Sequence, residues 1–407
     1  MSDVLAMSAR TQETVVMTAP AGQHTIREHN LALVMRSIAD GPRRSRAQLA
    51  EATGLTRATI SGLVDELITS DLLIELEPDR SSRGRPGSPI TLNPNGPAGL
   101  GVEVNVDYIS ACVVDLTGVV RAQRTELLDN RTVSPEQGIR QAVTLASAVR
   151  DEVGKLPIAG AALALPGLVD SDGVLRRAPN LPRWQDLDVA AEFSQMLGLD
   201  LQVDNEANLA ALAELWYGEP RDDFVLVSAE IGIGAGIVLN RRLYRGVRGR
   251  AGELGHVVVD PTGPPCGCGS NGCLEQLAGQ EAILRAAGVI VGDIGTSVAD
   301  PHGAAEELNK RARSGDGRTL QALTEAGVAL GVALAGMVNL LDIPAIVLGG
   351  IYADLGDWLL PTIDAELRRR VLASNTNVEL SLATLGSSAA VRGSAGSVVA
   401  ELIAKPH

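Results

Sequence analysis

Three of the four cysteines crowd into eight positions, Cys266, Cys268 and Cys273, and His256 lies ten residues upstream of the first. One imidazole and three thiolates are the donor set of a closed tetrahedral zinc site. Gly267, Gly269 and Gly272 fall between the ligands, which lets a short loop fold round an ion. The spacing is not C-x-x-C, so redox chemistry fits less well, and disulfides are disfavoured in a reducing compartment. With no coordination position left open, the expected zinc, one per chain, is structural and orders the loop that carries Glu275. Cys112 lies in an apolar run and reads as core.

A second chemistry-bearing set is basic. Arg43, Arg44 and Arg46 open one short segment, Thr56, Arg57 and Ser61 another, and Arg80, Arg83 and Arg85 stud the stretch RSSRGRPGSP. Guanidinium and hydroxyl groups at a helix N-terminus meet phosphates and base edges. An extended Arg-Gly-Arg-Pro segment suits a narrow minor groove. The alternative for each run is a solvated charged surface, and only the elements around it decide.

Those elements are legible. Leu31, Val34, Met35 and Ile38 recur at helical spacing and stop at Asp40-Gly41-Pro42, giving one amphipathic helix. Ser45 with Gln48 forms a capping-box pattern before Leu49 and Ala50, and Gly54 ends that helix. Thr56 can cap a third, with Ile60, Leu63, Val64 and Leu67 on one face and small or polar residues opposite. Together these are a helix-turn-helix whose last helix reads DNA. Leu72–Leu76 and Ile90–Leu92 read as two strands of a wing with the arginine-rich stretch at its tip. Such a head is expected to bind a double-stranded operator as a homodimer or homotetramer, because one recognition helix reads too few base pairs.

The chain is 407 residues long and 45% hydrophobic, enough for two or three domains with buried cores. The division expected is a flexible segment over residues 1–24, a winged helix-turn-helix over 25–95 and a larger body over 96–407. The net charge of −14 is unevenly placed: residues 1–95 hold ten Lys/Arg and eleven Asp/Glu, leaving about −13 on the body. Aromatic residues are only 2%, which argues against a stacking platform for single strands or for sugar faces. The uncharged apolar stretch 326–341 is sixteen residues, short of a bilayer span. The N-terminus, with Asp3 and no long apolar core, does not read as a secretory signal, so a cytoplasmic location with no membrane contact is expected.

From Leu100 the body alternates strands and helices. GVEVNVDYISACVVDLTG reads as a hairpin, Ile139–Val153 as a helix and IAGAALALPGLVD as a buried strand; FVLVSAEIGIGAGIVLNRRLYRG opens a second half in the same way. The reading is a duplicated α/β body with a cleft between two lobes.

Four motifs in that body, AGELGH at 251–256, CGCGSNGCLE at 266–275, DNEANLAALAE at 204–214 and AIVLGGIYADLGDWLLP at 345–361, resemble the ROK family of sugar kinases and sugar-responsive repressors. With a winged helix in front, the chain is similar to the repressor branch, that of the xylose and N-acetylglucosamine repressors. The resemblance implies an actin-like, hexokinase-type body with a small sugar or sugar-phosphate effector in the interlobe cleft. Carried over residue by residue, it implies Gly167, Asn180, Asn205, Glu206, Glu253, His256 and Glu275 as the sugar-binding set. His256 would serve twice, one ring nitrogen on zinc and the other on a sugar hydroxyl.

The same resemblance marks what a kinase would need and this chain lacks. Where family kinases have an Asp-x-Gly-Gly-Thr turn, the chain has Glu103-Val104-Asn105-Val106-Asp107, with Val106 expected to block the backbone and Asp107 to repel phosphate. The second turn, Gly-Thr-Gly-Ile-Gly in kinases, reads Glu230-Ile231-Gly232-Ile233-Gly234. The catalytic Asp is replaced by Glu206, one methylene longer, a displacement of about 1 Å that can cost on the order of a hundredfold. No ATP is expected to bind and no catalytic residue is assigned. The alternatives are a DNA-bound, ATP-dependent sugar kinase, separated by ATP turnover, and a regulator of this family with no sugar ligand, separated by a sugar-induced thermal shift.

Overall fold

A computed structural model of the chain describes residues 23–77, 88–170, 173–289, 301–372 and 378–406. The segment 1–24, apart from the first two residues of the opening helix, and the wing-tip arginines Arg80, Arg83 and Arg85 lie outside them. The chain divides into two compact units, Met1–Thr91 with Leu402–His407, and Leu92–Glu401.

In the smaller unit, helix α1 (Gln23–Ala39) packs on α2 (Arg46–Thr53) and α3 (Arg57–Thr69). The caps form as the sequence requires: Ser45 and Gln48 make a complete capping box, Gly54 ends α2 in the left-handed region, and Thr56 accepts from the Thr59 amide. Val34, Met35, Leu49, Ile60 and Val64 meet in a fully buried core. Strands β1 (Arg44–Ser45), β2 (Leu73–Glu75) and β3 (Pro89–Leu92) form a sheet in the order β1-β3-β2.

The larger unit contains two lobes built to one plan. Lobe one carries β4 (Ala98–Val104), β5 (Tyr108–Val114) and β6 (Val120–Leu127), then α4 (Pro135–Glu152), β7 (Ile158–Leu165), β8 (Leu168–Val169), β9 (Leu175–Arg177), α5 (Val189–Leu197), β10 (Leu201–Asn205) and α6 (Glu206–Tyr217). Lobe two carries β11 (Phe224–Ala229), β12 (Ile233–Leu239) and β13 (Arg242–Leu243), then α7 (Leu274–Ala278), α8 (Gln280–Ala286), α9 (Pro301–Arg313) and α10 (Gly317–Leu341). It continues through β14 (Ala345–Gly350), α11 (Ile351–Asp354), α12 (Gly356–Arg370), β15 (Glu379–Leu382) and α13 (Ala389–Ala404).

The sheets run β10-β7-β4-β5-β6 and β15-β14-β11-β12-β13. In each, an antiparallel three-strand meander is extended by two parallel strands. The expected duplication therefore extends to strand order. The sequence pattern missed β6 and β13, because β6 is exposed over most of its length and carries little apolar alternation.

Central strands β4 and β5 are buried at every residue, as strands covered on both faces must be. Helix α4 lays Ile139, Ala142, Ala146 and Val149 on that sheet. In lobe two, α10 packs on α12 through Leu330, Leu334, Leu359 and Ile363. Although the uncharged run is short, α10 itself is 25 residues and by length and composition could cross a membrane; 56% of its most apolar window is buried inside the protein, the condition of a core helix.

Candidate sugar cleft and metal centre

The metal donors converge. Cys266 Sγ lies 3.6 Å from His256 Nδ1 and Cys268 Sγ 3.6 Å from Cys273 Sγ, and all four donor atoms fall within 4.8 Å of one another. Tetrahedral zinc with bonds near 2.3 Å to sulfur would hold its thiolates about 3.8 Å apart, so the donor set and its spacing fit that ion. The loop between the ligands is cross-braced: the Cys266 amide donates to Ser270 O at 2.8 Å and the Gly272 amide to Pro264 O at 2.7 Å. At Gly272 φ is 62°, and a β-carbon there would sit 1.5 Å from Asp260 O, so only glycine lets the strand pass. Gln276 directs its amide at Cys266 Sγ, 3.9 Å away.

Cys273 leads directly into α7, whose second residue is Glu275. The metal loop thus fixes the start of the helix that aims this carboxylate. Glu275 Oε2 accepts the Ile233 amide at 3.2 Å, tying α7 to the β11–β12 turn.

A cleft of about 290 Å³ opens between the lobes, lined by Gly167, Asn180, Asn205, Glu206, Glu253, His256 and Glu275 among others. Every residue carried over from the family resemblance therefore faces one space, on several elements of both lobes. His256 presents Nδ1 to the cysteines and lines the cleft as well, the arrangement a dual role needs. Burial pushes the Glu253 and Glu275 carboxyls above the ordinary range.

Asn205 and Gly167 are bound to each other. Asn205 Oδ1 caps α6 by accepting the Ala207 and Asn208 amides at 2.8 and 3.3 Å, and its Nδ2 donates to Gly167 O at 2.8 Å. It holds the helix and the Gly167 loop in place. Gly167 itself has φ 110°, with a would-be β-carbon 2.3 Å from Arg177 O, so the loop must be glycine to lie against β9. Arg177 in turn donates to Gly267 O at 2.9 Å, joining lobe one to the metal loop.

At the base of the cleft is a group that sequence reasoning left scattered. Glu103 (β4), Glu206 (α6) and Glu230 (the β11–β12 turn) bring carboxylate oxygens within 4.8 Å of one another. Asn105 Nδ2 donates to Glu230 at 2.6 Å and Glu206 at 3.0 Å. Tyr108 donates to Glu103 at 2.6 Å and lies 3.1 Å from Glu230. Burial pushes Glu103 up to about 7 and Glu206 up to about 8, and with the neighbouring carboxylates holds Glu230 well above the carboxylate range. The turns of the two lobes are thereby stitched together by side chains.

Val106, expected to obstruct the first turn, packs against the lobe-one core at 2% exposure and lines the cleft beside Asn105. Asn105 and Tyr108 make the contact across the lobes. The available signal was the coincidence of acids at both turns and at Glu206; Tyr108 gave none.

On the smaller unit the basic residues divide. Arg46 pairs with Asp65 at 2.6 Å and Glu75 at 3.1 Å, and Arg44 donates to Ser37 O and Ser37 Oγ, so both guanidiniums brace the head internally. Thr56 Oγ1 is engaged as the α3 cap. Arg57 and Arg43 are exposed and bond to nothing among the described residues, and Ser61 sits half-exposed on α3. Arg44 and Arg46, expected to face phosphate, are thus the two whose guanidiniums also bond within the head.

Comparison with known proteins adds three observations. Residues 99–400 match the ROK family. The xylose repressor of Bacillus subtilis (strain 168) is 29% identical over 387 residues, 93% of this chain and 97% of that one. Among solved structures, a ROK family transcriptional regulator, homologue of the E. coli MLC protein, superposes with a TM-score of 0.76 at 26% identity over 93% of this chain and 97% of its own. A ROK family glucokinase from Streptomyces griseus, in complex with glucose and AMPPNP, does so at 0.63 and 28% over 74% and 98%.

Proposed function

The chain belongs to the ROK family, and from that membership we propose that it is a sugar-responsive, DNA-binding transcriptional repressor of carbohydrate-use genes, acting in the cytoplasm as a homodimer or homotetramer. The observation that carries this reading is the reach of the similarity. A repressor aligns over 93% of the chain, head included, whereas a kinase aligns over 74%.

The interlobe cleft is the effector site. A pyranose hydroxyl donates and accepts at once, so its pocket needs fixed carboxylates and amides. Glu206, Glu253, Glu275 and Asn180 supply them, with His256 Nε2 beside the cysteine cluster. Three carboxyl groups in one cleft favour a neutral sugar over a sugar phosphate. Zinc held by His256, Cys266, Cys268 and Cys273 has a structural role: it fixes the first turn of α7 and so the Glu275 carboxylate.

Phosphoryl transfer is disfavoured because Glu103, Glu206 and Glu230 occupy the meeting point of the two turns. A polyphosphate brought there would face three carboxyl groups; no lysine or arginine lines the space beside them, and the Tyr108 hydroxyl is already bonded to Glu103.

The test is operator binding with and without sugar. A ligand shifts a two-state equilibrium only by its differential affinity, typically about 1–3 kcal/mol or roughly 5–150-fold in operator affinity. In Glu253→Ala that response is expected to vanish while operator affinity without sugar stays unchanged. An intact response in this variant would place the effector elsewhere.

On the head, Arg57→Ala is expected to cost specific binding about 1–3 kcal/mol, and Arg43→Ala to weaken all sequences alike and reduce the salt slope by about one. Arg46→Ala would instead lower the stability of the head. Titrations against specific and scrambled duplexes at several salt concentrations separate the three, and equal losses on both duplexes in Arg57→Ala would contradict its role in base readout.

A further inference from the structure

Beside Glu275 the sugar cleft adjoins a second chamber of about 240 Å³, and Pro179, Asn180, Ile231 and Glu275 line both spaces. Gly232 keeps the way between them open. A β-carbon there would sit 2.8 Å from Glu275 Oε2 and 2.9 Å from Asn180 Nδ2, so only glycine leaves both polar groups facing the passage. Either space alone falls short of the roughly 300 Å³ at which small-molecule pockets begin, and the two joined lie within the usual range.

The chamber is walled by charges that are held apart. From lobe one comes Arg131, fixed by Asp129, which accepts from its Nε at 2.9 Å and from its Nη2 at 3.2 Å. From lobe two, α8 presents Glu281 and Arg285. The Glu281 carboxylate stands 3.9 Å from Arg131 Nη1 and 4.0 Å from Arg285 Nη2, too far for a direct hydrogen bond to either. Arg131 and Glu281 are nonetheless largely buried, where charges short of hydrogen bonds are costly. Gaps of this width are bridged by a third polar group. It must donate to Glu281 and accept from the guanidiniums, which a hydroxyl does and an ionised carboxylate or an ammonium does not. The volume is far beyond that of a single water, and Pro179, Pro182 and Ile231 give the space an apolar side. Two guanidiniums set against Glu275 and Glu281 leave no net charge to draw an anion.

We infer that this chamber is a second sugar subsite and that the effector is a neutral disaccharide, one ring in the cleft and the other between Arg131 and α8. The inference rests on the cleft being the effector site. Because Arg131 and α8 belong to different lobes, the second ring touches both, and such contacts are what let a ligand favour one arrangement of the lobes.

The test titrates the full-length protein with glucose, xylose and N-acetylglucosamine, each beside its β-1,4-linked disaccharide, and with maltose for the α-linkage. At least one disaccharide is expected to bind about tenfold more tightly than its own monosaccharide. Ala282→Phe, on the α8 wall of the chamber, fills the second space and should erase that advantage while leaving monosaccharide affinity unchanged. Arg285→Ala, at a half-exposed position where folding is safe, removes a donor and should weaken the disaccharide alone by about tenfold. A monosaccharide bound as tightly as every disaccharide overturns the inference and leaves the effector cleft standing, whereas no saturable binding by any sugar removes the cleft with it. Glucose 6-phosphate bound more tightly than any disaccharide would overturn it too. So would a disaccharide advantage that survives both variants, or variants that weaken both ligand lengths alike.

Discussion

Cys268→Ser is expected to strip the protein of zinc, from about one ion per chain to near none, and to lower its melting temperature by about 10 °C. The choice of residue matters. Cys273 is wholly buried and would disturb packing if changed, whereas Cys268 is half-exposed, so serine there removes one ligand and little else. Losing the ion frees four donors that otherwise crowd within 4.8 Å. Without the ion, burial pushes the Cys273 thiol up to about 12, so it stays protonated and no longer holds the loop by coordination.

The effect should travel along α7. Glu275 is two residues beyond Cys273 and bonds the Ile233 amide, so a disordered metal loop releases both the carboxylate and the turn it holds. Sugar response should therefore fall together with zinc content, while Cys112→Ser, buried between β5 and α13, should leave zinc at one per chain. Metal analysis with thermal melting decides the matter: a zinc-free protein with an unchanged melting point would remove the site from the account.

What the sequence revealed and what it concealed follow from the range of the forces involved. Local rules placed the head: the Ser45–Gln48 box, the Gly54 stop and the Thr56 cap each involve residues within four positions, and each forms. The metal donors were legible because a C-x-C-x4-C loop has no common use other than ligation. For Arg46 the bonds within the head were hidden, because an arginine beside a recognition helix reads alike whether or not it also meets Asp65, which lies nineteen residues away. The cap that Asn205 places on α6 was hidden likewise, since capping a helix and binding a sugar call for the same side chain. The carboxyl cluster was least visible of all: Asn105 bonds Glu206 and Glu230 across 101 and 125 residues, and no periodicity encodes a contact of that length.

That cluster makes the stability of the larger unit depend on pH, and the sign can be derived. Three carboxyl groups with oxygens this close, in a buried site, cannot all be ionised, and they titrate as a set. The groups that face Glu206 are Glu103, Asp107 and Glu275, all acidic, and no cation relieves it. Its folded-state value is raised to about 8, above the ordinary 4.5. Between those limits the native state binds more protons than the unfolded one, so stability is fully present below about 4.5 and is lost as pH rises through about 8. Glu206→Gln imitates the protonated acid and keeps an acceptor for Asn105. It should match the wild type near pH 5 and exceed it by about 2–4 kcal/mol near pH 9. The metal ligands titrate in this range too, but they are common to both proteins, and the difference between the two curves removes them. Denaturant unfolding across that range measures it: parallel curves for wild type and Glu206→Gln would mean that Glu206 is ionised in the native state and that the two turns are held together by something other than shared protons.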